Sequence, residues 1–190
     1  MKKSGFNTGL FFALAIFLSS CDGFVPDPID PRLPVYSESA KNQSGAMINN
    51  VPFVDYPKYS SLESPSSAFI LNQADTTLIL EFNLSQRNYN FYGNSVNFSL
   101  ESLTEADWDE MEQGFGKKFS LNNTKNKGKL IVRSNAGDTE IFAETGQITV
   151  KVIPKSKSIA GTFGFTGKAP NGKNYEVHYG RFDYFFQRLK

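Results

Sequence analysis

Along residues 76–84 apolar side chains recur at every second position, with Ile79 the one apolar residue on the opposite face. Leu78, Leu80, Phe82 and Leu84 fall on one face, and Thr77, Ile79, Glu81 and Asn83 on the other. Successive side chains of a strand point to opposite sides, so a period of two marks a β-strand with one buried face. The same period recurs through Val96, Phe98 and Leu100, through Ile148, Val150 and Val152, and through Ile159, Gly161, Phe163 and Phe165. Strands are expected at 68–72, 76–84, 95–100, 130–133, 140–143, 147–153, 158–166 and 175–187. The last of these changes phase: Tyr175, Val177 and Tyr179 alternate, then Phe182, Tyr184 and Phe186. A bulge or bend at Gly180-Arg181 would keep both sets on the core side. Gly161 and Gly164 predict a close backbone approach or a bulge. Ala46-Met47-Ile48 and Val51-Pro52-Phe53-Val54 flank Asn49-Asn50, and asparagine tolerates positive φ, which suits a two-residue hairpin turn. Pro52 confines its strand to an edge or an end. Asn171-Gly172 predicts a second hairpin.

The period turns helical once. Thr104 with Asp107 three residues on has the form of a capping box, and Trp108, Met111 and Phe115 recur at helical spacing as a buried stripe. Gly114 and Gly116 end that helix. Lys117 to Lys129 reads as polar loop, with Phe119 and Leu121 hinting at a short strand. The fold expected is therefore mainly β: an antiparallel sandwich or partly open barrel with one short helix.

The amino-terminus follows another rule. Lys2 and Lys3 precede a nine-residue apolar run, Leu10 to Leu18, and then come Ser19, Ser20 and Cys21. The run is too short to span a hydrocarbon core, which needs about 20 residues, and the order of basic, apolar and small residues is that of a secretory signal. Leu18-Ser19-Ser20-Cys21 resembles the lipobox of bacterial lipoproteins, which implies acylation of Cys21 and cleavage before it. Cys21 is the only cysteine, so an internal disulfide is excluded. The expected division is a signal peptide at 1–20, a Pro/Ser-rich tether at 21–44 and a single β-rich domain at 45–190. Pro26, Pro28, Pro31 and Pro34 remove backbone donors from the tether. Its roughly 22 residues, at about 3.1 Å each, would lift the domain by at most roughly 70 Å.

The precursor carries 20 Lys+Arg against 19 Asp+Glu. Removing residues 1–20 takes away two lysines and no acid, so the mature chain is slightly acidic. No nucleic-acid partner is expected, because such binding needs a basic surface. The 18 Phe and 8 Tyr fit a β-rich chain.

Few residues suggest chemistry. His178 is the only histidine, and its alternation places it on the solvent face. No cofactor and no metal site are expected. Asp107, Asp109, Glu110 and Glu112 read as a solvated helix face. Tyr89, Phe91 and Tyr92, with Arg87 beside them in an Asn-rich loop, are the candidate ligand-binding residues. Rings offer apolar faces to sugar C–H patches, and amides offer partners to hydroxyls. Arg181 and Tyr184 form a weaker candidate. Asp75-Thr76-Thr77 resembles the short O-glycosylation sequon of the Bacteroidota.

Several features together resemble a group of Bacteroidota lipoproteins classed as domains of unknown function. These are the lipobox, the tether, the Gly45-Ala46-Met47-Ile48-Asn49-Asn50-Val51-Pro52 hairpin, the Gly161-Thr162-Phe163-Gly164-Phe165 strand and the closing Gly180-Arg181-Phe182-Asp183. The resemblance implies an envelope location and a β-leaning domain, and carries no activity. The expected protein is a lipid-anchored envelope lipoprotein, held in the outer membrane through acylated Cys21, that binds a glycan or an envelope partner without catalysis. The alternatives are a structural or accessory interaction module and a carboxylate-dependent glycosidase.

Overall fold

The computed structural model describes residues 30–55, 68–72, 76–86, 93–121 and 125–186; over 68–72 it describes the backbone alone. The chain divides at Asp30/Pro31, and the unit from Pro31 onward carries the β fold. Its strands are β1 (Gln43–Ile48), β2 (Val51–Asp55), β3 (Ala68–Asn72), β4 (Thr77–Leu84), β5 (Asn94–Leu100), β6 (Lys117–Ser120), β7 (Asn126–Val132), β8 (Thr139–Ile153), β9 (Ser158–Lys168) and β10 (Asn174–Phe185). The one helix among the described residues, α1 (Glu105–Glu112), lies between β5 and β6. All strand pairs are antiparallel, in the order β2-β1-β10-β9-β8-β7-β5-β4-β3, with β6 beside β8. The sheet curls into a half-barrel, which meets the mainly β expectation and replaces the sandwich alternative with a single curled sheet.

The curl brings β2 round to the end of β4. There Val54 and Ser85 exchange two backbone hydrogen bonds of 2.9 Å. Val54 therefore points its N–H and C=O away from β1. Pro52, two residues back, points the same way, so its missing donor costs β1 nothing and blunts the outer edge of β2. The Asn49-Asn50 turn forms as expected, with φ of 49° and 64°.

The period-two faces meet inside the curl. Leu78, Leu80, Phe82 and Leu84 of β4 join Val96, Phe98, Leu130, Ile141, Ile148, Phe163, Phe165 and Phe182 in one buried cluster. Phe82 stacks on Phe163, Phe182 and Tyr184 at centroid distances of 5.6, 4.9 and 5.8 Å, and Phe98 meets Phe163 edge-on at 5.1 Å. Such ring pairs each contribute about 0.5–1.5 kcal/mol beyond the area they bury. A methyl at Gly161 would overlap the Thr149 carbonyl and the Phe182 ring, so this position admits only glycine.

Between β5 and β9 the structure departs from expectation in β8, in β6 and β7, and at Phe115. The two strands expected at 140–143 and 147–153 are one, β8. The polar Glu144-Thr145-Gly146 reads as a break, but there β8 carries one extra residue between Ala143 and Thr145 while its pairing with β9 continues. β8 also changes partner on its other edge, from β7 to β6. The supposed loop 117–129 thus supplies β6 and the start of β7, with Phe119 and Leu121 buried. Phe115 is not part of a buried stripe: it is 97% exposed, because α1 ends at Glu112 and Phe115 lies in the turn beyond it.

The helix otherwise follows its sequence signals. The Thr104 hydroxyl accepts from the Asp107 N–H, while the Asp107 carboxylate accepts from the Thr104 N–H at 2.6 Å. Trp108 and Met111 are buried, and Trp108 stacks on Phe186. The acidic side of α1 is solvated, and the Lys117 ammonium bridges Asp107 and Glu110.

The phase change in β10 is real but lies earlier than expected. The extra residue falls between Val177 and Gly180, and Tyr179 takes the left-handed conformation, with φ of 52°. Val177 before the bulge and Phe182 and Tyr184 after it are buried, whereas Tyr179 turns outward and is half-exposed.

Candidate functional site

The sequence-derived candidates Arg87, Tyr89, Phe91 and Tyr92, and the anchor residue Cys21, lie outside the described residues. The described residues instead present two contrasting outer faces of one sheet.

The first face, over β1, β10 and β9, is covered. Residues 31–42 were expected to be tether, yet they run as a strap across this face. Leu33 packs with Met47 and Val54 in a small cluster separate from the main core. Pro34 is buried over Gly45, where a Cβ would come within 2.6 Å of the Pro34 Cδ. The buried Arg181 guanidinium donates to the carbonyl of Pro34 at 3.3 Å and to that of Tyr179 at 3.3 Å. Farther along, Glu38 pairs with the Lys151 ammonium at 2.9 Å, and its carbonyl accepts from the Ser156 and Ser158 hydroxyls. The strap ends on Asp183, which is 1% exposed. The Asp183 carboxylate accepts from the backbone N–H groups of Ser39, Ala40 and Lys41 at 3.2, 2.9 and 3.1 Å. Asn42 then caps the edge, its side-chain oxygen accepting from the Phe185 N–H.

This corrects the boundary at residue 45, because the domain begins its packing near Pro31. The prolines do exclude helix and strand. Yet the backbone donors that the strap lacks a ladder for are met by side chains from β10. Tyr36 is drawn in as well: burial, and then the Glu38 carboxylate that accepts from its hydroxyl, push its phenol far above the ordinary range.

Arg181 and Tyr184, the weaker candidate, are both committed to structure and do not meet. Arg181 faces the strap. Tyr184 faces the interior, where its hydroxyl sits 2.8 Å from the Ser44 hydroxyl and donates to Asp55 at 3.0 Å. Burial and then the Asp55 charge push the Tyr184 phenol far up. Asp55 and Asp183 thus lie on opposite sides of the sheet, so they do not form the facing carboxylate pair that a glycosidase needs. His178, expected on a solvent face, is half-buried instead. Its Nδ1 lies 3.7 Å from Glu176 Oε1 and its ring meets Tyr179 edge-on. Among the described residues no cluster of His, Cys, Asp or Glu side chains is grouped to hold a metal ion.

The second face, over β4, β5, β7 and the start of β8, carries no strap among the described residues; Ser95 on it is buried, Glu81, Asn97 and Lys129 are partly covered, and Lys127, Glu140 and Phe142 are exposed. The register aligns Glu81, Asn97, Lys129 and Phe142 in one row across four strands. The Phe142 ring is 58% exposed, and the Lys129 ammonium stands 5.8 Å from its centre. Lys129 also pairs with Glu140 at 2.6 Å. In the neighbouring rows Ser95 donates to Asn97 at 2.7 Å, and Lys127 pairs with Glu101. The row therefore sets an apolar ring beside an ammonium, with an amide two strands away and a carboxylate three. Sequence reasoning missed it because Glu81 and Phe142 are 61 positions apart, and Phe142 taken alone reads as one more strand aromatic.

Comparison with protein-family models, with curated proteins and with solved structures yields no match. No relative lends a function to either face.

Proposed function

We propose that the protein is a lipid-anchored lipoprotein of the bacterial cell envelope, held in the outer membrane through acylated Cys21, whose β domain binds an envelope glycan without catalysis. The anchor rests on Leu18-Ser19-Ser20-Cys21 and on the resemblance to Bacteroidota lipoproteins. The binding role is carried by the row of Glu81, Asn97, Lys129 and Phe142. A pyranose has an apolar C–H face and a rim of hydroxyls. The half-exposed Phe142 ring suits the first, and the Lys129 ammonium beside it, with Asn97 and Glu81 farther along the row, suits the second. The aromatic packing inside the curl directs recognition to the outer surface.

A thermal-shift screen of the full chain against envelope glycans tests this reading. A ligand at a hundred times its Kd adds about 2.7 kcal/mol of stability, several degrees in Tm. The expected result is a rise that Phe142→Ala abolishes. If the Phe91→Ala, Tyr92→Ala double variant abolishes the rise and Phe142→Ala does not, the 87–92 loop is the site. If no glycan raises Tm, the glycan reading falls. A structural or accessory role through protein contacts then takes its place, to be pursued by pull-down from intact envelope.

A further inference from the structure

Phe115 stands alone in water. It is 97% exposed, against 59% for Val35, the next most exposed large apolar side chain among the described residues. Its turn is nonetheless tied down. The Gln113 N–H donates to the Glu110 carbonyl at 3.3 Å, and the Gly116 N–H to the Gln113 carbonyl at 2.9 Å. Gly114 and Gly116, on either side of the ring, are both left-handed, at φ of 52° and 83°. A Cβ at Gly116 would come within 2.4 Å of the Val150 carbonyl, so the turn is seated directly on β8. A Cβ at Gly114 would meet nothing within 4 Å. The backbone is fixed on one side and clear on the other, and it presents the ring to solvent.

The helix that leads to this ring breaks a second local rule. Its eight residues, Glu105 to Glu112, carry five acids and no base. Glu110 and Glu112 lie in the last turn, although the C-terminal end of a helix bears partial negative charge and favours cations. Lys117 answers part of this by bridging Asp107 and Glu110. Asp109 and Glu112, three residues apart and so neighbours on the helix surface, have no ion pair among the described residues. An apolar ring in water and unpaired acids at a negative helix end are both locally unfavourable, and here they adjoin. Departures from local rules concentrate where a protein makes functional contacts.

One kind of surface relieves both. We propose that Phe115 and the last turn of α1 form a docking site for a protein partner that presents an apolar socket bordered by arginine or lysine. The ring is the anchor, since buried aromatic side chains dominate the energetics of such contacts, and the rim charges set encounter and orientation. The acids decide between occupants. A membrane surface bearing anionic lipid repels them. A two-fold contact with a second copy of this chain sets the acids of one α1 against those of the other. The docking site shares no residue with the row from Glu81 to Phe142, so it stands or falls separately from the glycan reading.

The test is photo-crosslinking of the full chain in its native cell. p-Benzoylphenylalanine takes the place of Phe115, and a second sample carries it in place of Phe142 as a control for random encounter. Adducts and their cross-linked peptides are then identified by mass spectrometry. The expected result is one protein adduct from position 115 that position 142 does not give, with the cross-link in an apolar segment that has Arg or Lys beside it. Adding Asp109→Lys and Glu112→Lys should lower the yield at least about tenfold, because like charges facing each other across an interface are strongly unfavourable. Tm should not fall in that variant, since both substitutions place cations at the helix end that favours them. Should it fall, the neutral pair Asp109→Asn and Glu112→Gln takes over, and it must still lower the yield. No protein adduct, the same adduct from both positions, an adduct to lipid or to a second copy of this chain, a cross-linked segment without basic residues, or a yield indifferent to the charges would each overturn the proposal.

Discussion

The two outer faces of the half-barrel are made of the same kinds of residue and use them in opposite ways. On the covered face, Arg181 and Asp183 are 3% and 1% exposed, and each finds its partners in the strap or its own backbone. On the other face, Glu81, Asn97 and Lys129 are only partly covered, and Phe142 keeps more than half of its surface in water. A charge taken out of water is costly unless it is paired and hydrogen-bonded. The covered face can therefore hold its charges only while the strap is in place, whereas the other face pairs its charges among its own strands and leaves the Phe142 ring in water. Polar outward positions of a strand do not by themselves mark a binding surface. What matters is whether another part of the chain has already taken them.

The contrast between the faces is most exposed to a variant that removes the carboxylate holding the strap. Asp183→Ala should cost about 3 kcal/mol, roughly 10 °C in Tm, since it deletes charge-assisted bonds to three N–H groups. Chemical denaturation monitored by Trp108 fluorescence would measure it. A cost below about 0.5 kcal/mol, the range of ordinary surface substitutions, would mean the strap contributes nothing. Gly45→Ala reaches the same strap without touching a charge. Its new Cβ crowds Pro34, so a loss of about 1–3 kcal/mol is expected, together with faster amide exchange at Ser39 to Lys41.

High pH probes the covered face through its phenol. The ordinary phenol value is 10.0, and both Tyr36 and Tyr184 are raised well above it. Above pH 10 the unfolded chain therefore gives up phenol protons that the folded chain retains. Fewer protons on the unfolded state mean that stability falls as pH rises through this range. Tyr36→Phe should flatten that fall while leaving the neutral-pH stability nearly unchanged; an equally steep fall in the variant would remove Tyr36 from the account.

At the border of the covered face, Tyr179 sits in a left-handed backbone that suits glycine, at a cost of about 1–2 kcal/mol. Tyr179→Gly is expected to stabilise by about 1 kcal/mol, the relief of that strain, and a loss instead would show that the ring contacts outweigh it. The smallest effect belongs to the other face. Phe142→Ala should change stability by less than about 0.5 kcal/mol, as exposed substitutions do, while removing any glycan-induced rise in Tm. A large intrinsic loss would reclassify the ring as structural.

The strands were legible because period-two alternation reports burial residue by residue, and β4 carries it without a break, while β9 loses it at Ser158 and Ala160, which the strap side of the sheet buries. The Thr104 cap was equally legible, since its partner lies three residues away. Phe115 was misread because its helical spacing continues past the point where Gly114 stops the helix. The bulge in β10 was visible as a phase change, yet its position was not. The bulge was expected at Gly180-Arg181, while packing puts the left-handed conformation on Tyr179 and keeps Gly180 in the ladder beside Phe163.

The β class, the hairpin turns, the capped helix and most of the strand core residues follow from the order of residues along the chain. Each depends on neighbours within a few positions. Folding in three dimensions settled the rest: which end of the sheet curls to meet which, that Glu81 and Phe142 share one row, and that residues 31–42 are bound rather than free. The partners of Ser39, Ala40 and Lys41 lie 142 to 144 positions away on Asp183, and no local pattern encodes a contact at that separation. Local periodicity records whether a side chain is buried, but only the folded chain shows what buries it.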